Sequence, residues 1–452
     1  MRLSLLSFYI FILSTNALCQ WEQLDIPSST RYDDVFFIDE NTGWAVGGPA
    51  GTIYKTIDGG VIWAHKFSTP FQNGSSGSRF YLRSIEFATP TLGFAGSLDS
   101  LLYKSIDGGE TWTDISNDIP FEIEYENTTL THVPGICGLS APSANVIYGS
   151  GIWNAGPAYV IKSTDGGDTW ATTDMSQWAT QLVDILFLDE NEGYVTGMAN
   201  PRSEGGIILH TTDGGANWEV KHKTMTDRDY IWKIQTPDSV NFFGSIESLP
   251  MTNNVRFVKS TDSGDSWATL PVQTDKWNYI QTIGFRTPLH GYTGGTANPS
   301  PRETALFETI DGGLTWKSIE VGTNRTFNRF FMVNAETIFL SGRKIYKYNP
   351  DYDPNPQPLG TEDEDIGHSH TITTYPNPTK GQVRLTISIL RKTKCSLLVF
   401  DSSGKLIEEL FHGEIAQGDH VFDFSLEEEA DQLYFVSLMT NEGLTYQKIL
   451  KE

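Results

Sequence analysis

The sequence predicts an all-β protein, a seven-bladed β-propeller followed by a small Ig-like β-sandwich. Three observations carry that expectation: six copies of one short Asp-Gly segment, a repeat period near 49 residues, and an incomplete unit at each end of the array. The copies are KTIDGGVIW, KSIDGGETW, KSTDGGDTW, HTTDGGANW, KSTDSGDSW and ETIDGGLTW, ending at Trp63, Trp112, Trp170, Trp218, Trp267 and Trp316. Their aspartates, Asp58, Asp107, Asp165, Asp213, Asp262 and Asp311, stand 49, 58, 48, 49 and 49 residues apart. A unit of that length matches a four-stranded propeller blade.

The chain opens with MRLSLLSFYIFILSTNALCQ, in which a basic Arg2, an apolar run from Leu3 to Leu13 and a small-residue exit before Gln20 read as a cleaved signal peptide over residues 1–19. A lipoprotein alternative would place lipid on Cys19, although the bulky Leu18 before it fits that processing poorly. No later stretch approaches the ~20 apolar residues of a membrane-spanning helix, so no transmembrane segment is expected.

Residues 20–348 then read as the propeller. Each unit offers a short apolar strand such as Val35-Phe36-Phe37, a second such as Gly43-Trp44-Ala45-Val46, a third such as Thr52-Ile53-Tyr54-Lys55, the Asp segment, and a fourth strand opened by Trp. Within the segment, Asp58 can accept amide hydrogen bonds from residues ahead of it, Thr56 can add a hydroxyl, and Gly59 and Gly60 can take positive φ. Each Trp is expected to bury its ring between blades. The last unit, from Phe327 to Tyr348, has three strands and no Asp segment, whereas Trp21-Glu22-Gln23-Leu24 resembles a fourth strand with nothing before it. Pairing the two closes the ring and removes its sheet edges, at about 47 residues per blade.

Residues 349–372 are rich in Pro and acid and lack periodicity, which marks a linker. Residues 373–452 return to alternating strands, as in QVRLTISI and the hairpin LYFVSLMTNEGLTYQKIL, and read as a β-sandwich. An ordinary Ig-like binding domain is the alternative for this segment.

Composition narrows the partners. A net charge of −24 and a pI near 4.7 argue against a phosphate-binding surface, so nucleic acid is not expected, and the same charge disfavours anionic lipid. Cys137 and Cys395 fall in different domains and read as buried small hydrophobes rather than a disulfide or a reactive thiol. The nine His are scattered, His368 and His370 lie in the linker, and no grouping has metal-ligand spacing. Neither a metal nor another cofactor is expected.

The (Ser/Thr)-X-Asp-X-Gly-X-Thr-Trp segments resemble the Asp boxes, or BNR repeats, of sialidases, sortilin-type ectodomains and xyloglucan hydrolases. The fuller pattern FFIDENTGWAVG followed by IYKTIDGG looks most like the seven-bladed propellers of photosystem II assembly factors and their bacterial relatives. Through Tyr375-Pro376-Asn377-Pro378, the Asp401-Ser402-Ser403-Gly404-Lys405 turn and Tyr434-Phe435-Val436, the C-terminal segment resembles the type A sorting domains of the type IX secretion system. That resemblance implies handling by the type IX machinery and a secreted, extracellular or outer cell-surface protein.

The function expected from these features is that of a binding module for a polysaccharide or surface protein. The Asp-segment acids are structural, because acids spread around one rim cannot converge on a substrate. Long loops on the opposite rim nominate Trp153, Tyr159, Arg202, Glu247 and Arg302 as ligand contacts. Aligning the innermost strands places Asp34, Ser84, Asp184, Lys233, Thr282 and Arg329 at the channel mouth, adding Lys233 and Arg329 to the contacts. Two alternatives stand beside this: a secreted glycoside hydrolase or lyase pairing Asp34 with Asp184 as acid and base, and a structural envelope or matrix component. The Arg-Ile-Pro motif of sialidases is missing, and xyloglucan hydrolases of this repeat type use two propellers where this chain has one.

Overall fold

Short apolar strands broken by Gly-rich turns satisfy their backbone groups only by pairing with neighbours, and here they pair blade by blade. A computed structural model describes residues 20–27, 31–72, 78–151, 157–249, 255–272, 277–298, 306–319, 321, 326–350, 371–389, 391–401, 406–427, 429–430, 433–440 and 443–451. The chain divides into two units, Met1–Pro356 and Gln357–Glu452. The expected signal peptide and most of the expected linker lie outside the described residues.

Among the described residues of the first unit, seven four-stranded antiparallel sheets form the blades. Blade 1 runs Tyr32–Phe37, Gly43–Gly47, Thr52–Thr56 and Ala64–Ser68, in spatial order from the channel outward. The innermost strands of blades 2 to 7 are Leu82–Phe87, Gly138–Ser140, Ala179–Phe187, Asp229–Gln235, Trp277–Phe285 and Phe327–Met332. Blade 7 continues through Ile338–Gly342 and Ile345–Tyr348, and its outermost strand is Trp21–Gln23 from the other end of the chain. Trp21 faces Tyr348, Glu22 faces Lys347 and Gln23 faces Tyr346. The Leu24 amide donates to Ile345 O at 2.9 Å, and the Asn349 amide to Gln20 O at 2.8 Å. The Trp21 ring is buried against Tyr292, Phe330 and Tyr348 at centroid distances of 5.3, 5.7 and 5.6 Å.

The Asp segments adopt one geometry. Thr56 Oγ1 donates to Asp58 Oδ1 at 2.8 Å and accepts from the Gly60 amide at 2.9 Å, and Asp58 Oδ1 accepts from the Ile62 amide at 2.9 Å. Gly59 and Gly60 sit at φ 71° and 93°, a region that a Cβ disfavours. The Gly59 amide reaches Asn41 O at 2.8 Å, tying this turn to the hairpin between the first two strands on the same rim. The carboxyls of Asp107, Asp165, Asp213, Asp262 and Asp311 are held down at about 2 by the side chain four residues on and by its amide.

An aromatic relay joins the blades. The Phe ending an innermost strand stacks on an aromatic of the preceding blade, as Phe87 does on Trp44 at 3.5 Å, Phe187 on Tyr148 at 3.5 Å and Phe285 on Phe243 at 3.4 Å. Phe37 on Phe339 at 3.6 Å repeats the contact across the ring closure. The segment Trp then meets this Phe edge-on, as Trp112 does with Phe87. The longer spacing of 58 residues is an inserted hairpin, Ile123–Tyr125 with Thr128–Leu130, whose Phe121 and Ile123 pack in one cluster with Tyr159.

The second unit is a two-sheet sandwich. Thr371–Tyr375, Gln382–Ile389 and Gly418–Ser425 form one sheet; Leu406–Ile415, Thr393–Asp401, Leu433–Thr440 and Gly443–Leu450 form the other. Val383, Leu385 and Ile387 point inward by simple alternation and meet Leu397, Val399 and Val436 in its core. The Asn377 side chain bonds Lys448 O at 2.7 Å and the Leu450 amide at 2.9 Å, which fixes the Tyr-Pro-Asn-Pro segment to the final strand.

Truncating the closure ring, Trp21→Ala, is expected to cost about 3–5 kcal/mol of stability in denaturant unfolding. Carboxyls that titrate lower in the folded than in the unfolded chain stabilise fully above the unfolded value and lose that contribution as pH falls through the folded one. The contribution of these carboxyls, read as the difference in thermal melts between the wild type and Asp107→Asn, is therefore expected to be flat from about pH 7 to about 5 and to be lost between about pH 4 and 2.

Candidate functional site

The innermost strands carry a repeated irregularity at their channel-mouth ends. Among the described residues, six of them skip one position in pairing: between Tyr32 and Asp34, Leu82 and Ser84, Leu182 and Asp184, Ile231 and Lys233, Ile280 and Thr282, and Phe327 and Arg329. A β-bulge leaves its extra residue out of the ladder and re-aims the side chain. Four of the skipped residues, Asp33, Arg83, Trp232 and Gln281, line one cavity of about 360 Å³ together with Arg31, Tyr81, Leu98 and Asp99. This cavity lies on the rim opposite the Asp segments, where the second-to-third-strand loops gather.

Asp33 organises the cavity wall. Its Oδ1 takes Arg31 Nε at 2.7 Å and Arg83 Nη1 at 2.9 Å, and its Oδ2 takes the Tyr81 hydroxyl at 2.8 Å. Burial, with Asp33 adding to it, pushes the Tyr81 hydroxyl above its ordinary value, so it remains a donor. Arg31 Nη2 donates to Gln281 Oε1 at 2.9 Å, and Gln281 Nε2 donates to Glu247 Oε2 at 2.7 Å. Burial raises the Glu247 carboxyl, with the Gln281 bond opposing it. The Arg83 guanidinium stands 5.3 Å from the Trp232 ring, and its buried Nη2 has no hydrogen-bond partner among the described residues.

Deeper in the channel, Arg329 bridges the two expected carboxylates, with Nε 3.5 Å from Asp34 Oδ1 and Nη1 3.4 Å from Asp184 Oδ1. Lys233 Nζ adds a 3.0 Å ion pair to Asp184, and burial lowers the Lys233 ammonium. The remaining oxygens bind backbone of the following blade: Asp34 Oδ2 accepts from the Ile85 amide at 3.2 Å and Asp184 Oδ2 from the Ile234 amide at 3.0 Å. Other polar side chains of the innermost strands do the same at the other interfaces. Glu86 takes the Ala141 amide, Ser140 the Phe187 amide, Gln235 the Phe285 amide and Thr282 the Phe330 amide. Between blades 7 and 1 the direction reverses, and Asn328 Nδ2 donates to Tyr32 O at 2.7 Å. Each interface thus carries a polar clamp, and the four whose innermost strand ends in Phe carry the stacked pair beside it. Burial pushes the Glu86 carboxyl up to about 8, against the pull of Arg329.

The expected ligand contacts divide. Asp34, Asp184, Lys233 and Arg329 come together as one channel network, and Glu247 joins the cavity wall through Gln281. Arg202 is exposed on the second-to-third-strand loop of blade 4. Tyr159 corrects the expectation of a loop contact: it is fully buried under Phe121, and its hydroxyl bonds Gly135 O. Trp153 and Arg302 lie outside the described residues. Arg31, Asp33, Tyr81, Arg83, Trp232 and Gln281 were not expected from the sequence. The bulge hides them, because a strict two-residue alternation assigns the skipped positions to blade packing.

Comparison with known proteins agrees with this architecture. Residues 13–127 match the family described as Photosynthesis system II assembly factor YCF48, and residues 373–452 match the Secretion system C-terminal sorting domain. Photosystem II assembly lipoprotein Ycf48 of Synechococcus sp. (strain CC9902) is 26% identical over 334 residues, covering 72% of this chain and 86% of that protein. The Photosystem II assembly protein Ycf48 of Thermosynechococcus vestitus is 24% identical over 331 residues, covering 72% and 82%. Among solved structures, one described as YCF48 bound to D1 peptide has a TM-score of 0.52 at 19% identity, covering 73% of this chain and 97% of that one. The GH74 enzyme of Niastella koreensis has a TM-score of 0.51 at 11% identity, covering 95% and 67%. By sequence and fold, the chain is an all-β propeller of the BNR type similar to the Ycf48 photosystem II assembly factors, followed by a secretion system C-terminal sorting domain.

Proposed function

We propose that the protein is an exported binding module, delivered by the type IX secretion system to the cell surface or medium, that holds a protein or glycan ligand at the channel mouth. One observation carries this reading: a cavity at the channel mouth gathers Arg31, Asp33, Tyr81, Arg83 and Trp232 from three blades, with the charged groups fixed in place by Asp33. The Trp232 ring beside Arg83 offers an apolar or stacking face. A few convergent polar groups in a concave site are the usual anatomy of ligand pockets. The similar fold described as bound to a D1 peptide supports a polypeptide segment as one such ligand.

The hydrolase alternative draws less support. Every oxygen of Asp34 and Asp184 faces a donor, either a backbone amide, Lys233 or Arg329, which suits clamps between blades better than groups that exchange protons with substrate. The likeness to GH74 enzymes concerns fold alone, and fold does not fix chemistry.

Arrays of glycans and of peptides from cell-surface proteins, probed with the purified protein, test the proposal. A ligand captured by the wild type is expected to bind Arg31→Gln, at the part-exposed cation of the cavity, about ten- to hundredfold more weakly, the size of one charge-assisted hydrogen bond, with the melting temperature recorded alongside to separate lost binding from lost folding. Undiminished binding by that variant would remove the cavity from the account. Turnover of a bound oligosaccharide that disappears in Asp34→Asn and Asp184→Asn would establish the hydrolase instead.

A further inference from the structure

Two of the polar clamps between blades share one plan but differ in chemistry. Glu86 in blade 2 and Gln235 in blade 5 hold the same place in their innermost strands, each opposite an aromatic of the second strand, Phe94 and Phe243. Each reaches the equivalent residue of the next blade, Ala141 for Glu86 and Phe285 for Gln235. The Gln235 amide grips its target twice: Oε1 accepts from the Phe285 amide at 3.0 Å, and Nε2 donates to Phe285 O at 3.1 Å. A carboxylate can match only the first bond, because it has no hydrogen to give, whereas a protonated carboxyl has the shape of the amide and one O–H donor.

The surroundings of Glu86 favour the protonated form. It keeps some contact with channel water, yet protein encloses it closely enough that a charge there is poorly solvated. That burial is the main reason its carboxyl stands near 8; Arg329 of blade 7 opposes the rise, and Asp34 of blade 1 and Asp184 of blade 4 add to it. Among the described residues no ion pair reaches Glu86, since Arg329 is engaged by Asp34 and Asp184, and Lys233 of blade 5 by Asp184. From blade 3 it meets the Ala141 amide. In blade 6 the clamped Phe285 also stacks on Phe243 at 3.4 Å, whereas an alanine fills that place in blade 3, so the Glu86 clamp works with no ring pair beside it.

We infer that Glu86 is a proton-operated latch between blades 2 and 3: protonated, it holds Ala141 by both amide and carbonyl as Gln235 holds Phe285, and ionised, it loses the carbonyl and leaves an unpaired charge in the channel. Blade 2 brings Tyr81, Arg83, Leu98 and Asp99 to the candidate cavity, so the latch secures one wall of that site. It operates without a ligand and stands whether or not the cavity binds one. A carboxyl raised in the folded chain contributes stability that is complete below its unfolded value, near 4.5, and that is lost as pH rises through about 8. The seam is therefore latched at neutral pH and loosened in mildly alkaline medium.

Infrared difference spectra and thermal melts of the full chain, Glu86→Gln and Glu86→Met test the latch. At pH 7 the wild type is expected to show the C=O stretch of a protonated carboxyl that Glu86→Gln lacks, and to lose it by about pH 9. Near pH 4 the wild type and Glu86→Gln are expected to melt together, because both make the two bonds. Glu86→Met makes neither and is expected to melt at least about 2 °C lower there. As pH rises the wild type is expected to fall behind Glu86→Gln by at least about 2 °C, the gap levelling off above about pH 8. The reverse exchange, Gln235→Glu, is expected to give the seam between blades 5 and 6 the same loss with rising pH. Absence of the band at pH 7, a wild type that tracks Glu86→Gln at every pH, or a Glu86→Gln that melts below the wild type at pH 4 overturns the inference. So does a Glu86→Met that matches the wild type at pH 4, since burial without the two bonds would then explain Glu86.

Discussion

The pairing of Trp21–Gln23 with Ile345–Tyr348 turns a row of sheets into a ring, and the remaining features of the propeller follow from that closure. Without it, the third strand of blade 7 would show an unpaired edge, and the sheet would be free to recruit another chain. With it, Phe37 stacks on Phe339 as Phe87 does on Trp44, so the junction between last and first blade is built like the others. Closure also fixes the innermost strand of blade 7, from which Arg329 reaches across the channel to both Asp34 and Asp184. An open stack would separate these groups and dissolve the cavity above them.

A second constraint works at finer scale. Blades wedge together by packing aromatics, but the innermost strands crowd at the axis, where backbone amides of neighbouring blades approach each other without forming a ladder. The bulge and the polar residues next to it answer that crowding. One side chain at each interface bonds the neighbouring blade's backbone, while the skipped residues of blades 1, 2, 5 and 6 line the cavity; in blade 7 the skipped residue, Asn328, is itself the clamp. Structure and candidate site therefore share the same strands: in blades 1, 2, 5 and 6 the bulged residues furnish the cavity, while polar side chains of the same innermost strands hold the ring.

Much of this was legible in the residues. The Asp segments announced their turn geometry because every partner is local: Thr56, Gly60 and Ile62 lie within four positions of Asp58. Closure was legible because Trp21 heads a strand with no unit before it. The cavity was not, because its members come from blades 1, 2, 5 and 6 and meet only through a one-residue slip in pairing that leaves no compositional mark. Asp34 and Asp184 looked like free channel carboxylates for a related reason. Their partners are amides about one blade further along the chain, and no local pattern reveals an acceptor's distant donor. Tyr159 misled because the inserted hairpin that covers it belongs to the preceding connection.

Native-state hydrogen exchange at the closure tests the central claim most directly. The Leu24 and Asn349 amides bond across the two chain ends, whereas the Ile85 and Ile234 amides bond between interior blades. A ring that opens only as a whole predicts that all four exchange together, at the rate set by global unfolding. Leu24 and Asn349 exchanging orders of magnitude faster, while Ile85 and Ile234 stay protected, would show that the ring is not held shut at Trp21.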